Sequence, residues 1–128
     1  MTDYSKMLSL AYPGSGWSLR DITVFETLAW DSSNSLPQPT LPEVLVQLEI
    51  VKPIEALRLL REKRNKILVE SDMYALPDFP HADQETRQAW LIYRQALRDV
   101  MQNNTQTLVT TTLELDESSV VWPAKPFS

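Results

Sequence analysis

The sequence predicts an α+β fold: a central antiparallel helical hairpin, flanked by an N-terminal β-hairpin and by a C-terminal strand with an extended tail. Three observations carry this. Ala89, Trp90, Tyr93, Ala96, Leu97, Val100 and Met101 recur at spacings of three and four, the period of a helix with one apolar face. Residues 17–30 alternate instead with a period near two. The run Leu108–Leu115 is rich in β-branched residues and short, which fits a strand.

In chain order, Trp17 and Leu19 alternate with Ser18 and Arg20, while Val24, Leu28 and Trp30 alternate with Phe25, Thr27 and Ala29. That predicts a hairpin over 16–31, with a loose turn at Asp21-Ile22-Thr23 because no glycine is present for a primed turn. Asp31 to Thr40 is rich in Ser, Asn, Pro and Gln and reads as a linker. Thr40-Leu41-Pro42-Glu43 has the Thr-x-x-Glu spacing of a capping box, opening a short helix to about Ile50. Pro53 suits the first position of a new helix, expected to run to about Ser71. Leu76-Pro77-Asp78-Phe79-Pro80 forces a turn, and Asp83 caps the helix after it. The strand expected at 107–115 leads into an extended, proline-bearing end. Three segments follow: an N-terminal arm, hairpin and linker (1–39), a helical module (40–103), and a C-terminal strand and arm (104–128). The expected core is Leu57, Leu60, Ile67, Trp90, Tyr93 and Leu97.

Composition removes whole classes of chemistry. The chain has 128 residues, no cysteine and one histidine. Disulfides, thiolate metal sites and cysteine nucleophiles are therefore excluded. A net charge of −5 argues against nucleic acid as a main partner, since binding phosphates needs clustered positive charge. No stretch approaches the ~18 apolar residues of a membrane span, so no membrane partner is expected, and the opening Met1-Thr2-Asp3 does not look like an export signal.

The candidate chemistry is sparse. His81 lies in a proline-flanked turn and reads as a solvated loop histidine. Glu114, Asp116 and Glu117 lack the spaced oxygen ladder and glycine bend of a calcium loop. Arg58, Arg61, Lys63, Arg64 and Lys66 read as an exposed helix face laced with Glu62 and Glu70. Arg64 falls inside the apolar stripe and is expected to reach Asp72, Asp78 or a backbone carbonyl. Tyr12, Trp17, Trp30, Trp122 and Phe127 lie on the arms, where they either tuck onto the domain or anchor in another protein's pocket.

Several runs resemble a phage family, the phage tail assembly chaperone-like proteins. They are Leu60-Arg61-Glu62-Lys63-Arg64-Asn65-Lys66-Ile67-Leu68, Glu70-Ser71-Asp72, Leu76-Pro77-Asp78, Trp90 to Asp99 and Val121-Trp122-Pro123. Met73 stands where that family commonly has tryptophan, and the link from Asp99 to Val121 is longer than usual. The resemblance implies a non-enzymatic protein of tailed-phage morphogenesis without a cofactor, made in the host cytoplasm. Combined with the aromatic arms, it suggests an adaptor retained in the virion. Such an adaptor binds other tail, baseplate or fibre proteins, or its own copies, through Trp17, Trp30, Trp122 and Phe127. The alternative is a transient assembly chaperone that uses the groove beside Trp90 and Tyr93 and leaves before the particle is complete.

Overall fold

The computed structural model describes residues 2–126, which form two compact units. One comprises the chain up to Ala56 together with Leu108–Glu114; the other comprises Leu57–Thr107 and the chain from Leu115 onward. The fold is mostly helical, with a single two-stranded antiparallel hairpin among the described residues.

The first unit opens with helix α1 (Tyr4–Ala11), an element that the sequence reading of an N-terminal arm did not include. Asp3 caps it by accepting from the Lys6 amide at 3.2 Å, and Met7, Leu8 and Ala11 share its buried face. Their spacing of one, then three, is a helical period, but eight residues offer too few turns for that period to stand out. Gly14, at φ +82°, supplies the left-handed residue of the turn that follows.

Strands β1 (Trp17–Leu19) and β2 (Leu28–Trp30) pair antiparallel, with Trp17 opposite Trp30 and Leu19 opposite Leu28. The loose connection expected here is present and longer than expected, taking in Val24 and Phe25. Asp21 accepts from the Thr23 amide at 2.9 Å, and the Thr27 hydroxyl bonds the carbonyls of Asp21 and Val24 at 3.0 and 2.8 Å. These side-chain bonds draw residues 20–27 out of the ladder.

Helix α2 (Leu41–Glu70) corrects a second expectation. It is one continuous helix of 30 residues with Pro53 inside it, not two helices parted before Pro53. The capping box forms as expected: the Thr40 amide donates to Glu43 Oε1 at 3.1 Å, and the Glu43 amide donates to Thr40 Oγ1 at 3.4 Å. Pro53 has no N–H for the Glu49 carbonyl, yet its fixed φ is helical. Tertiary burial outweighs the loss, because Val44, Leu48, Ala56 and Leu60 on either side of it are buried. In the first unit, Val44 and Leu48 join Met7, Leu8, Ala11 and Leu113 in one core.

The strand expected at 107–115 is absent. Within Leu108–Glu114, the Leu113 amide donates to the Thr110 carbonyl at 2.9 Å and the Thr110 amide to the Glu114 carbonyl at 2.7 Å, closing a tight reversal. Leu113 itself sits at φ +63°, in the left-handed region that no strand residue adopts. Thr110 and Thr112 pair their hydroxyls at 3.0 Å, and Thr110 Oγ1 also accepts the Glu114 amide at 3.2 Å. The threonines that raise β propensity here satisfy a turn instead.

The second unit holds the end of α2, a 3-10 turn at Asp72–Ala75, helix α3 (Gln84–Arg98), the short helix α4 (Val100–Asn103) and a 3-10 turn at Glu117–Ser119. Asp83 caps α3 as expected, accepting from the Thr86 amide at 2.7 Å. Ile67 and Leu68 of α2 pack with Trp90, Tyr93 and Leu97 of α3. Buried Asn104 then ties down the chain end: its side chain donates to the Val100 carbonyl at 2.9 Å and accepts from the Val121 amide at 2.8 Å. Residues 120–126, extended at Val120, form neither helix nor strand and make a strap.

Candidate functional site

The site is built from the aromatic side chains where α2 turns toward α3. Trp90 has no exposed surface. Tyr74 stacks on its ring, with centroids 3.8 Å apart and planes 8° from parallel, and Tyr93 meets it edge-on at 5.7 Å. The turn that presents Tyr74 is held by Arg87, which donates to the carbonyls of Leu76 and Phe79 at 3.1 and 2.8 Å. His81 contributes to the same turn rather than standing in solvent: it is half-buried, its Nε2 lies 2.8 Å from the Tyr74 carbonyl, and its ring packs on Phe79 at 4.6 Å. A turn made of prolines and aromatics gives a histidine apolar walls, which its sequence neighbours alone do not disclose.

The charge inside the helical pair belongs to Arg94, not Arg64. Arg94 Nη1 donates to the Leu68 carbonyl at 2.8 Å and to Ser71 Oγ at 2.6 Å, while Nη2 meets Asp72 at 2.9 Å. Half-buried Arg64 reaches the neighbouring Asn65 side chain and, among the described residues, none of the partners expected for it. Arg94 lies one residue past Tyr93 and four past Trp90, so the α3 periodicity itself placed it on the inner face. The Trp90 indole N–H and the Arg94 Nε are buried without a hydrogen-bond partner among the described residues.

These residues border a cleft of about 250 Å³ lined by Ile67, Glu70, Ser71, Tyr74, Trp90, Tyr93 and Lys125. Burial, and then the nearby Glu70 carboxylate, push the Tyr93 phenol above its ordinary pKa. Lys125 of the C-terminal strap lies over the Trp90 ring at 5.9 Å. Around Ile67 a second cleft of about 360 Å³ opens, bordered by Lys63, Lys66 and Glu117 among others. There Trp122 is held by Glu117, which accepts its indole N–H at 3.0 Å, and by Lys63, whose ammonium sits over its ring at 5.5 Å. Lys63 and Glu117 are themselves ion-paired, and that bond chiefly lowers the Glu117 pKa.

Of the arm aromatics, Trp17 and Trp30 are half-buried against the first unit's core, and Trp122 is half-buried against the Trp90 cluster. Phe127 lies outside the described residues. Among the helix residues, Leu60, Trp90 and Leu97 are fully buried, Tyr93 nearly so, and Leu57 and Ile67 half-buried. The lysine- and arginine-rich face of α2 carries the Arg58–Glu62 pair at 2.9 Å. A different feature went unnoticed in the sequence: Val46, Ile50 and Ile54, spaced by four, are 65%, 60% and 68% exposed, a bare apolar stripe on α2. Among the described residues no group of three or more His, Asp or Glu could hold a metal ion, and no helix is long and apolar enough to cross a membrane.

Residues 57–127, more than half of the chain, match the family described as phage tail assembly chaperone protein. The chain belongs to that family. The match begins where the second unit begins, so the family segment holds the aromatic cleft and the strap together. Tail assembly chaperones are non-enzymatic, and they bind phage tail proteins. No curated protein and no solved structure matches the chain.

Proposed function

We propose that this chain is a transient tail assembly chaperone, working in the host cytoplasm, whose cleft between α2 and α3 shelters an apolar segment of another tail protein until that protein is assembled. One observation carries the reading: the cleft at Trp90 and Tyr93 lies inside the family segment, while Trp17, Trp30 and Trp122 of the arms are occupied at home. An adaptor retained in the virion needs free anchors, and Trp17, Trp30 and Trp122 already pack against the chain's own cores. The cleft walls supply what a transient holder needs. Ile67, Tyr74, Trp90 and Tyr93 give them an apolar, aromatic floor that binds by burial, with Glu70, Ser71 and Lys125 as polar groups in the lining. The walls are also small, so the gain stays modest and the client can leave.

The test has two arms. Affinity capture of the tagged chain from infected cells, followed by mass spectrometry, is expected to recover a tail protein. The same measurement on purified, salt-washed particles is expected to find no chain. A fixed ratio of chain to tail proteins in washed particles would overturn the transient role and restore the adaptor with tail, baseplate or fibre partners.

A further inference from the structure

The cleft already holds a ligand of a kind. Lys125 projects from a proline-flanked strap, Pro123-Ala124-Lys125-Pro126, and its ammonium lies 5.9 Å from the centroid of the Trp90 ring. An aromatic face with an ammonium above it is the basis of cation recognition by aromatic cages. Tyr74 and Tyr93 complete the aromatic wall, and Glu70 on the rim makes no ion pair among the described residues. A carboxylate left unmatched beside an aromatic wall favours a cationic guest, and the acidic balance of the chain, −5 overall, acts in the same direction.

We infer that this cleft recognises a lysine or arginine on an extended segment of the client, and that Lys125 is an internal stand-in which the client displaces. The client's identity rests on the chaperone reading; the cation preference rests on the cleft alone. Trp90 has no exposed surface and Tyr74 stacks on its ring, so a client cation competes with Lys125 for the place over the indole. Lys125 itself is exposed, which makes its hold weak and its exchange easy. Trp122 behind it is better fastened, by Glu117 and Lys63, so the strap loosens at its end without coming off. A competing internal lysine suits a protein that must release what it binds.

The test uses the full chain and a capped tetrapeptide, Pro-Ala-Lys-Pro, together with the same peptide carrying norleucine in place of lysine. Binding is followed by NMR at the Trp90 indole N–H. The Lys125→Ala chain is expected to bind the lysine peptide about two- to fivefold more tightly than the unaltered chain. The norleucine peptide, or the Glu70→Gln change added to Lys125→Ala, should abolish that gain. Equal binding by both chains, or equal binding of both peptides, overturns the proposal. Concentration-dependent dimers of the unaltered chain that vanish in Lys125→Ala would also overturn it, by assigning the cleft to a second copy's strap. A chaperone that holds its client by another face would still capture tail protein while showing none of this peptide preference, so the two readings fail separately.

Discussion

Arg94 of α3 donates from Nη1 to the main-chain carbonyl of Leu68, 2.8 Å away, and so caps the last turn of α2 from the neighbouring helix. The last four carbonyls of a helix lack the i+4 amide of a regular turn; Ser71 donates to the Leu68 carbonyl from its amide and hydroxyl, and the guanidinium adds a charged donor at the negative end of the helix dipole. Arg94 is only 8% exposed, whereas the Asp72 side chain that it also meets is 61% exposed. Arg94→Met is therefore expected to cost about 1–3 kcal/mol, because the Leu68 carbonyl and the Ser71 hydroxyl lose a charged donor and keep only their bonds within the turn, where the Ser71 amide and hydroxyl donate to Leu68 at 3.2 and 3.0 Å. Asp72→Asn should cost about 1 kcal/mol or less. Urea midpoints at constant slope measure both. Equal losses would mean that the exposed ion pair, not the cap, is what matters.

Trp90→Ala should cost about 3–5 kcal/mol, since it empties the centre of the second unit's core. Trp90→Phe should cost well under that, about 1–2 kcal/mol, because the indole N–H that it removes has no partner to lose. Thermal and urea unfolding of the two variants decide this. A Phe variant as damaged as the Ala variant would mean that the indole's shape, and its stacking on Tyr74, carry the energy.

Trp122 is half-buried on the same cluster, so Trp122→Ala should destabilise the chain by about 1–3 kcal/mol and free the strap. The amide of Val121, bound to Asn104 Oδ1 at 2.8 Å, is the reporter: its hydrogen exchange should speed up ahead of that in α3. Unchanged protection at Val121 would show that Asn104 holds the strap alone.

Pro53→Ala should stabilise the chain by about 1–2 kcal/mol. Alanine restores the amide that the Glu49 carbonyl lacks, and the loss of proline's restraint on the unfolded chain returns part of that gain. Pro53 is exposed, so no packing is sacrificed. A neutral or destabilising result would mean that the helix needs the irregularity at this point.

The cap carboxylates set the acid limit. Hydrogen bonds lower the pKa of Asp3 (from Ser5 and then the Lys6 amide), of Glu43 (from the Thr40 amide and hydroxyl) and of Asp83 (from Thr86). Each folded pKa lies below its unfolded value, so the stabilisation is complete above the ordinary carboxylate range and fades as pH falls through the folded values. Helix content by circular dichroism should stay level above about pH 5 and fall below about pH 4. Asp83→Asn, which caps without titrating, should shallow that fall; an unchanged acid limb would take Asp83 out of the account.

What the sequence disclosed follows from how far each constraint reaches. The α3 stripe from Trp90 to Leu97, the Asp83 cap, the Thr40–Glu43 box and the Trp17–Trp30 hairpin are local patterns, and all were legible. Helix α2 was misread at Pro53 because a local rule met a non-local term, the burial of Ala56 and Leu60. The strand at 107–115 failed for a related reason: β propensity describes a half-buried pleat, and the threonines here had hydroxyl partners within the turn. Of the site, Trp90 and Tyr93 were visible as a stripe, and Arg94, buried beside the cleft, should have been. Tyr74 and Lys125 were not, because only the folded chain brings a turn and a distant strap to the same indole.

Leu113 shows the chain choosing between two demands that no single residue meets. Its backbone, at φ +63°, is one that glycine or asparagine would adopt readily and that costs leucine about 1–2 kcal/mol. Its side chain is buried among Met7, Leu8 and Val44, where leucine gains about 1.5–3 kcal/mol and glycine nothing. Burial wins by a narrow margin. Position 113 is therefore a site of local frustration, where the replacement that relaxes the backbone empties the core and any larger apolar residue keeps the strain.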